Sequence, residues 1–197
     1  MSDTIIIQHG PLAKIGRALR ARLELVFPPN IFTHQWMPSR VDREVWQELN
    51  RRMPMVGIGF NGFTRPQTTG SLNVLSEWSI YVTTKNANGN EAMLFGDKFA
   101  PGQLSLAEVG ASILHAFKVV DIGTVQINQA ANSFVEDYKE AGLSITAIEL
   151  TVPVDLSIAA VLGGDATLGV ALTGGTIKWS FDGTAVAQTD ELALGVT

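Results

Sequence analysis

The chain has 197 residues and a formal net charge of −5, with 46% hydrophobic and 17% charged residues. This length predicts one domain, or one domain with an appendage, and the low charge content favours buried surfaces between subunits. There is no cysteine, which excludes disulfide bonds and thiolate metal sites. The N-terminus does not resemble a signal peptide, and no apolar run approaches the ~20 residues of a membrane helix. We therefore expect a soluble protein, made in a cytoplasm, that does not contact membranes.

The charges are distributed unevenly along the chain. Residues 1–65 hold all eight arginines, and their nine basic and five acidic side chains give +4. Residues 66–197 hold five basic and fourteen acidic side chains, which give −9. Two interpretations remain open. The arginines can simply lie on solvated helices, or the subunit can have a basic and an acidic face that suit stacking or steering of a charged partner.

The first third of the chain predicts two helices. Gly10-Pro11 opens the first, because proline is favoured at the first helical position, and Pro28-Pro29 stops it. Its apolar stripe has helical spacing and consists of Leu12, Ile15, Leu19, Leu23 and Val26. Residues 30–39 are predicted to be an irregular connection. Ser39 is predicted to cap a second, short helix that ends by Pro54.

The central third predicts two strands followed by a helix. Residues 55–63 (MVGIGFNGF) indicate a glycine-interrupted strand that bends, lies at a sheet edge or passes close to another backbone. Residues 77–84 alternate aromatic and β-branched side chains with polar ones, which is typical of a strand. The connection 85–102 is predicted to be a long loop, and long loops often carry interaction surfaces.

The helix after that loop is predicted over 105–117. Ser105 would cap its first turn, Glu108 would complete a capping box, and Leu104 and Val109 would form a hydrophobic staple. Its predicted apolar stripe consists of Leu106, Val109 (with Gly110), Ile113 and Phe117.

The last third predicts an antiparallel strand pair and an extension. The pair consists of residues 123–128, with a continuation near 133–137, and residues 144–154. Residues 155–197 are rich in Gly, Thr and Ala, and Asp182-Gly183 is a two-residue hairpin signal. We therefore predict an α+β fold, with a mixed or antiparallel sheet packed against two to three helices. The predicted units are a domain at 1–155 and a small β extension at 156–197; a low-complexity tail is the alternative for the extension.

No pattern in the sequence predicts a catalytic, cofactor or metal site. Gly57, Gly59 and Gly62 match G-x-G-x-x-G, but the motif lies inside a predicted strand and Pro66 prevents a helix from following it. His9, His34 and His115 have no partner at metal-ligand spacing, and no serine lies in a G-x-S-x-G turn.

Acidic and basic side chains give no site either. The adjacent carboxylates Glu136-Asp137 and Asp190-Glu191 are expected to be solvated, and Glu77 is the carboxylate whose burial is worth checking. The acidic chain has no basic strand with interleaved aromatic residues, so we predict no specific nucleic-acid binding. We expect a protein that is not an enzyme.

The order of the predicted elements resembles the tail terminator proteins of tailed bacteriophages, in particular those of Mu-like phages. The resemblance covers roughly residues 10–155. It is carried by Arg52-Met53-Pro54 before a strand, by the 77–82 strand, and by the stretch from Phe95 to Phe117 with its ILHAF ending. Residues 156–197 lie outside it.

The resemblance implies a virion structural protein, present in the host cytoplasm during assembly and then in the tail or neck. It implies a homohexameric ring that caps the head-proximal end of the tail tube and stops its polymerisation. The implied partners are further copies of the chain, the tail tube protein and the head-tail connector, with DNA passing through the lumen without specific binding. A heterologous interface that closes on itself produces such a ring.

The loops at 64–73 and 85–102 are the candidate contacts between rings. The candidate interface residues, taken from loop position, are Arg65, Asn86, Asn88, Asn90, Glu91, Phe95, Asp97 and Lys98. Two alternatives remain open: another tail or neck protein, such as a tube subunit or tail-completion protein, and a small ligand-binding or enzymatic α+β domain.

Overall fold

A computed structural model describes residues 10–37, 52–65, 72–85, 88–132 and 143–157, together with 180–181 and 184–185. In chain order its helices are α1 (Pro11–Glu24), α2 (Asn90–Phe95) and α3 (Gln103–Leu114). Its longer strands are β1 (Thr33–Met37), β2 (Met55–Thr64), β3 (Asn73–Lys85), β6 (Gln126–Asn132) and β7 (Leu143–Asp155). The two-residue strands are β4 (Lys118–Val119), β5 (Gly123–Thr124), β8 (Ser180–Phe181) and β9 (Thr184–Ala185).

Five strands form one mixed sheet in the order β1-β2-β3-β7-β6. β1 runs parallel to β2, and the other neighbours are antiparallel. β3 and β7 form the long centre of the sheet and pair without interruption from Asn73↔Asp155 to Lys85↔Leu143. With the three described helices, this sheet confirms the predicted α+β class. The antiparallel pairing predicted between 123–128 and 144–154 is present between β6 and β7, although residues 123–124 form β5, which pairs with β4.

The core lies between one face of the sheet and helices α1 and α3. The strands supply alternate side chains to this face, since successive residues of a strand point to opposite sides. The buried apolar residues of this face include Val56, Ile58, Trp78, Ile80, Val82, Ile148, Leu150 and Val152. The predicted α1 stripe is confirmed: Ile15, Leu19 and Leu23 are fully buried against these strands.

Two glycines let the helices lie close to the sheet. A Cβ on Gly16 of α1 would lie 3.3 Å from the ring of Trp78 and 3.4 Å from that of Trp36. A Cβ on Gly110 of α3 would lie 2.5 Å from Cδ1 of Ile148. Each glycine therefore sits where a large side chain from the sheet fills the space that a helix side chain would need.

The C-terminal ends of α1 and α3 are joined by one arginine. Arg22 Nε donates a hydrogen bond of 3.0 Å to the carbonyl oxygen of Ile113. Its guanidinium also lies 5.2 Å from the ring centroid of Phe117. A cation at this place satisfies a carbonyl at the helix end and interacts favourably with the helix dipole.

One prediction about the first half of the sheet was wrong, and one of the alternatives given for residues 55–63 is excluded. Residues 33–37 are not irregular, because they form β1 and its Thr33–Met37 pairs with Met55–Gly59. β2 is consequently an internal strand rather than an edge. Gly57 of β2 lies beneath the Met37 side chain, where a Cβ would be 2.7 Å from Sδ. The predicted bend of β2 is present as a bulge at Asn61, which is followed by Gly62 with a φ of +126°.

The start of α3 also differs from the prediction. The helix begins at Gln103, with Gly102 as its N-cap and no side-chain cap, and Leu106 N donates to Gly102 O. Ser105 therefore lies in the first turn, and the predicted capping box is wrong. Leu104 and Val109, the predicted staple, are both exposed. Of the predicted stripe, Leu106 and Gly110 are buried, and Ile113 and Phe117 are partly buried against the core, while Leu114 is buried in addition.

Beyond α3 the chain turns back to the sheet through β4 and β5, which pair as a short antiparallel ladder. His115 is the C-cap of α3 and is exposed. Gly123 of β5 then passes close to Pro153 of β7: a Cβ on Gly123 would lie 2.3 Å from the Pro153 carbonyl oxygen. Only glycine fits this approach of two backbones.

The other predictions fall partly or wholly outside the described residues. The second helix after Ser39, the strand continuation at 133–137 and most of the 64–73 loop lie outside them. β8 and β9 pair as Phe181↔Thr184 and Ser180↔Ala185, which confirms the hairpin at Asp182-Gly183. The division at residue 155 stays a prediction. In the described part of the chain, no helix is long and apolar enough to cross a membrane.

Candidate functional site

The connection between β3 and α3, predicted to be a loop, contains a helix and a closed turn. Residues 90–95 form α2, whose N-cap Gly89 and C-cap Gly96 both have positive φ, +92° and +87°. Positive φ is readily adopted by glycine alone, so these two residues set the bounds of the short helix. The predicted loop at 85–102 is corrected accordingly, and α2 is followed by the loop 96–102.

The 96–102 loop is closed by backbone contacts between its ends. Gly96 and Pro101 form an antiparallel bridge, and Asp97 N donates a 2.9 Å hydrogen bond to Ala100 O. A Cβ on Gly102 would lie 2.2 Å from Gly96 N and 2.4 Å from Leu94 O. The backbone at both ends is thus packed too tightly for any side chain.

Asp97 holds the shape of this loop from inside. Its carboxylate Oδ1 accepts hydrogen bonds from Phe99 N at 2.8 Å and from Ala100 N at 3.0 Å. The other oxygen, Oδ2, accepts one from the Asn88 side-chain amide. Aspartate commonly stabilises turns by accepting from backbone N–H groups two and three residues ahead. The loop is therefore preorganised before any partner arrives.

The preorganised segment exposes a group of large apolar side chains. Phe99, at the tip of the 96–102 loop, is 77% exposed, and Phe95, at the end of α2, is 63% exposed. Leu94 and Leu104 are also exposed on the same segment. Lys98 Nζ lies 4.8 Å from the centroid of the Phe99 ring. We call residues 88–104 the 88–104 surface. Clustered exposed apolar residues rimmed by polar ones are typical of protein–protein contacts.

The predicted interface residues separate into three groups. Asn88, Asn90, Glu91, Phe95, Asp97 and Lys98 all belong to the 88–104 surface. Arg65 does not: it follows Thr64, which pairs with Leu75, whereas α2 contacts the sheet near Ser144, the partner of Thr84. Nine residues of β3 separate these two points, or about 30 Å. Asn86 lies outside the described residues.

Sequence reasoning missed the most exposed large apolar residue of this surface, Phe99, and with it Leu94 and Leu104. A signal was present, since FGDKFAPG places an aromatic residue between turn-forming residues, where it cannot be buried by helix or strand packing. Leu104 was assigned to a staple, and the different start of α3 leaves it exposed.

The remaining polar residues do not assemble into a chemical centre in the described part of the chain. That part holds no group of three or more His, Cys, Asp or Glu side chains able to bind a metal ion. His34 Nε2 lies 2.6 Å from the carbonyl oxygen of Phe27, a contact inside the fold. Glu77 is half-buried in β3 and pairs in the sheet with Thr151.

Comparison with known proteins found matches among solved structures. No protein-family model matches the chain, and no curated protein matches it. Among solved structures, 28 chains match, one of which belongs to the virion of a native gene transfer agent (GTA) particle. That likeness has a TM-score of 0.43 and 12% sequence identity, and it covers 77% of this chain and 99% of that chain. A TM-score this low means that the two folds agree only in part. The function proposed next therefore rests on the residues of this chain.

Proposed function

We propose that this protein is a virion structural protein, a tail terminator that forms a ring on the head-proximal end of a phage tail tube. In this role it stops polymerisation of the tube and joins it to the head connector. The ring consists of copies of this chain. The resemblance to tail terminator proteins implies six copies. The protein acts by assembly and catalyses no reaction.

The observation that carries this proposal is the 88–104 surface. A surface loop with no function is normally polar and lacks internal order, whereas this one is closed internally by Asp97 and presents Phe99 at its tip. Binding hot spots are enriched in aromatic residues, and preorganisation lowers the entropy cost of association. These properties support a role in binding another protein.

The distribution of charge supports stacking of unlike faces. The first 65 residues carry +4 and the remainder −9. On α1, the exposed Lys14 and Arg17 face away from the core stripe, whereas the 88–104 surface holds Glu91 and Asp97 against the single cation Lys98. Opposite charge on two surfaces of one subunit favours head-to-tail contacts between copies, and such heterologous contacts close into rings.

The experiment measures the mass of the assembly and the length of the tube. Light scattering coupled to size exclusion should give a ring near six copies. The tail tube protein encoded in the same genome should form shorter tubes when this protein is added, because its ring blocks further stacking. A monomer at every concentration would contradict the proposal, long tubes of this chain would indicate a tube subunit, and unchanged tube length would refute the capping role.

A charge variant identifies the surface involved. Lys98→Glu should strengthen ring formation, and with it capping of the tube, because it makes the 88–104 surface more acidic opposite the basic face of α1 in the next copy. Lys118→Glu is the matched control, because Lys118 is an exposed lysine on β4, outside the 88–104 surface. Charge reversal at Asp97 is less informative, because it would also destroy the loop that Asp97 stabilises. Equal capping by both lysine variants would exclude Lys98 from the contact.

A further inference from the structure

The segment that carries the aromatic residues does not rest on the apolar core. Ser144 and Thr146 of β7 contact α2 and the start of α3 with their hydroxyls, and Thr84 of β3 is the sheet partner of Ser144 and shares its helix-facing side. All three are buried. Elsewhere this face of the sheet is largely apolar, from Val82 through Ile148 to Val154. A polar layer therefore separates the 88–102 segment from the core.

The hydrogen bonds across this layer are long. Ser144 Oγ donates to Met93 O at 3.5 Å, and Thr146 Oγ1 donates to Gln103 O at 3.5 Å. Thr84 Oγ1 is buried and has no hydrogen-bond partner among the described residues. Hydrogen bonds of this length are weak, and a buried hydroxyl without a partner destabilises the docked arrangement, because water would satisfy it.

Apolar contacts add little to hold α2 in place. Met93 is its only buried side chain, and a helix of six residues has no stability of its own. At one end of the segment Gly89 has a φ of +92°, with nothing near it that would obstruct rotation. The 96–102 loop, in contrast, is closed internally by Asp97 and by its glycines. These features make the 96–102 loop rigid within itself and leave α2 dependent on its weak attachment to the sheet.

We propose that residues 88–102 form a hinged unit that undocks from the sheet without unfolding of the rest of the protein. Opening pivots at Gly89 and at Gly102, where α3 begins. It exposes the hydroxyls of β3 and β7 to water and lets Phe95 and Phe99 adopt more than one orientation. A partner that buries these two rings selects one orientation and fixes the unit. The unit opens in the isolated chain, whatever the identity of the partner.

Native-state hydrogen exchange on the full chain tests this proposal. The N–H groups of Met93 and Gly96 are hydrogen-bonded within α2, which is too short to stay helical once it leaves the sheet. They should exchange at least about a hundredfold faster than those of β3 and β7, and with little denaturant dependence, because local opening exposes little surface. Exchange of both groups at the same rate and with the same denaturant dependence would overturn the proposal.

A pair of substitutions separates local opening from general instability. Thr84→Val replaces the unpartnered hydroxyl with a methyl group of similar size, so docking strengthens and exchange in the segment should slow by about fivefold or more. Thr83→Val is the matched control: Thr83 is also buried, but it faces the other side of the sheet and its Oγ1 donates to Met55 O at 3.4 Å. Exchange in the segment should be unchanged in this control. A Thr84→Val protein whose segment exchanges as fast as the control's would refute the role of the polar layer.

Discussion

Replacing Phe99 with alanine should abolish or strongly weaken self-association while leaving the stability of the subunit unchanged. The ring is 77% exposed and contributes little to the core of one subunit. A phenylalanine presents about 200 Å² of apolar surface, so a partner can bury about 150 Å² more of this side chain. At about 25 cal/mol per Å² this corresponds to at most about 4 kcal/mol.

The measured loss of binding free energy should be smaller than this upper bound, because alanine keeps some contact with the partner and the interface can relax. Hot-spot residues typically lose about 2 kcal/mol or more on truncation, which corresponds to at least about a thirtyfold weaker association. Sedimentation velocity over a range of concentrations measures the association constant, and thermal unfolding measured at a concentration where both proteins are monomeric should give the same Tm for variant and wild type.

Val120→Ala is the control for this experiment. Val120 lies in the turn between β4 and β5, outside the 88–104 surface, and is 78% exposed, almost the same as Phe99. Its loss should leave the association constant within about twofold of the wild-type value, as expected for a surface residue outside an interface. If the Phe99→Ala protein assembles as strongly as wild type, or if both variants weaken assembly equally, the 88–104 surface is not the contact.

Two glycine substitutions test the close packing of the backbone. Gly102→Ala places a Cβ 2.2 Å from Gly96 N, which cannot move aside without opening the 96–102 loop, so this loop should lose its protection from proteolysis while the rest of the chain keeps its resistance; an unchanged cleavage pattern would contradict the closed loop. Gly110→Ala brings a Cβ to 2.5 Å from Cδ1 of Ile148 and should destabilise the protein by about 1–3 kcal/mol in urea unfolding. Combining it with Ile148→Val removes that methyl group and should restore part of the loss; additive destabilisation by the two changes would show that the helix and sheet do not meet there.

The elements with a strong periodic pattern could be predicted from the sequence. α1 was identified from Gly10-Pro11 and its apolar stripe, and β7 from its alternation, because burial on one face imposes those patterns. β1 was missed because THQWM has no apolar alternation. It is a short strand whose place in the sheet depends on pairing with β2, and that pairing is not a local property of the sequence.

One position of the α3 stripe was wrong for a related reason. Gly110 has no side chain and adds little to an apolar pattern, so Val109 was placed on the buried face together with it. In the structure Val109 is exposed, and Gly110 is buried because Ile148 fills the space above it. The surface was located by loop position, but its exposed aromatic group depends on where α2 and α3 begin and end. The ends of α2 are set by the positive φ of Gly89 and Gly96, and the start of α3 by the close packing of Gly102 against Gly96, which an apolar pattern does not reveal.

The close approach of Gly123 to Pro153 has a consequence for the uniqueness of the fold. Residue 123 is the one place near β6 where the chain can lie against the Pro153 carbonyl oxygen without a clash. If the strand that contains β6 slipped by two residues along β7, Asp121 or Val125 would arrive there with a Cβ. Strands rich in Gln, Asn and Ala, such as β6, specify their alignment weakly through their own side chains. Gly123 thus disfavours sheets in which β6 is misaligned on β7. It acts by making the alternative alignments clash and adds no favourable contact to the native one.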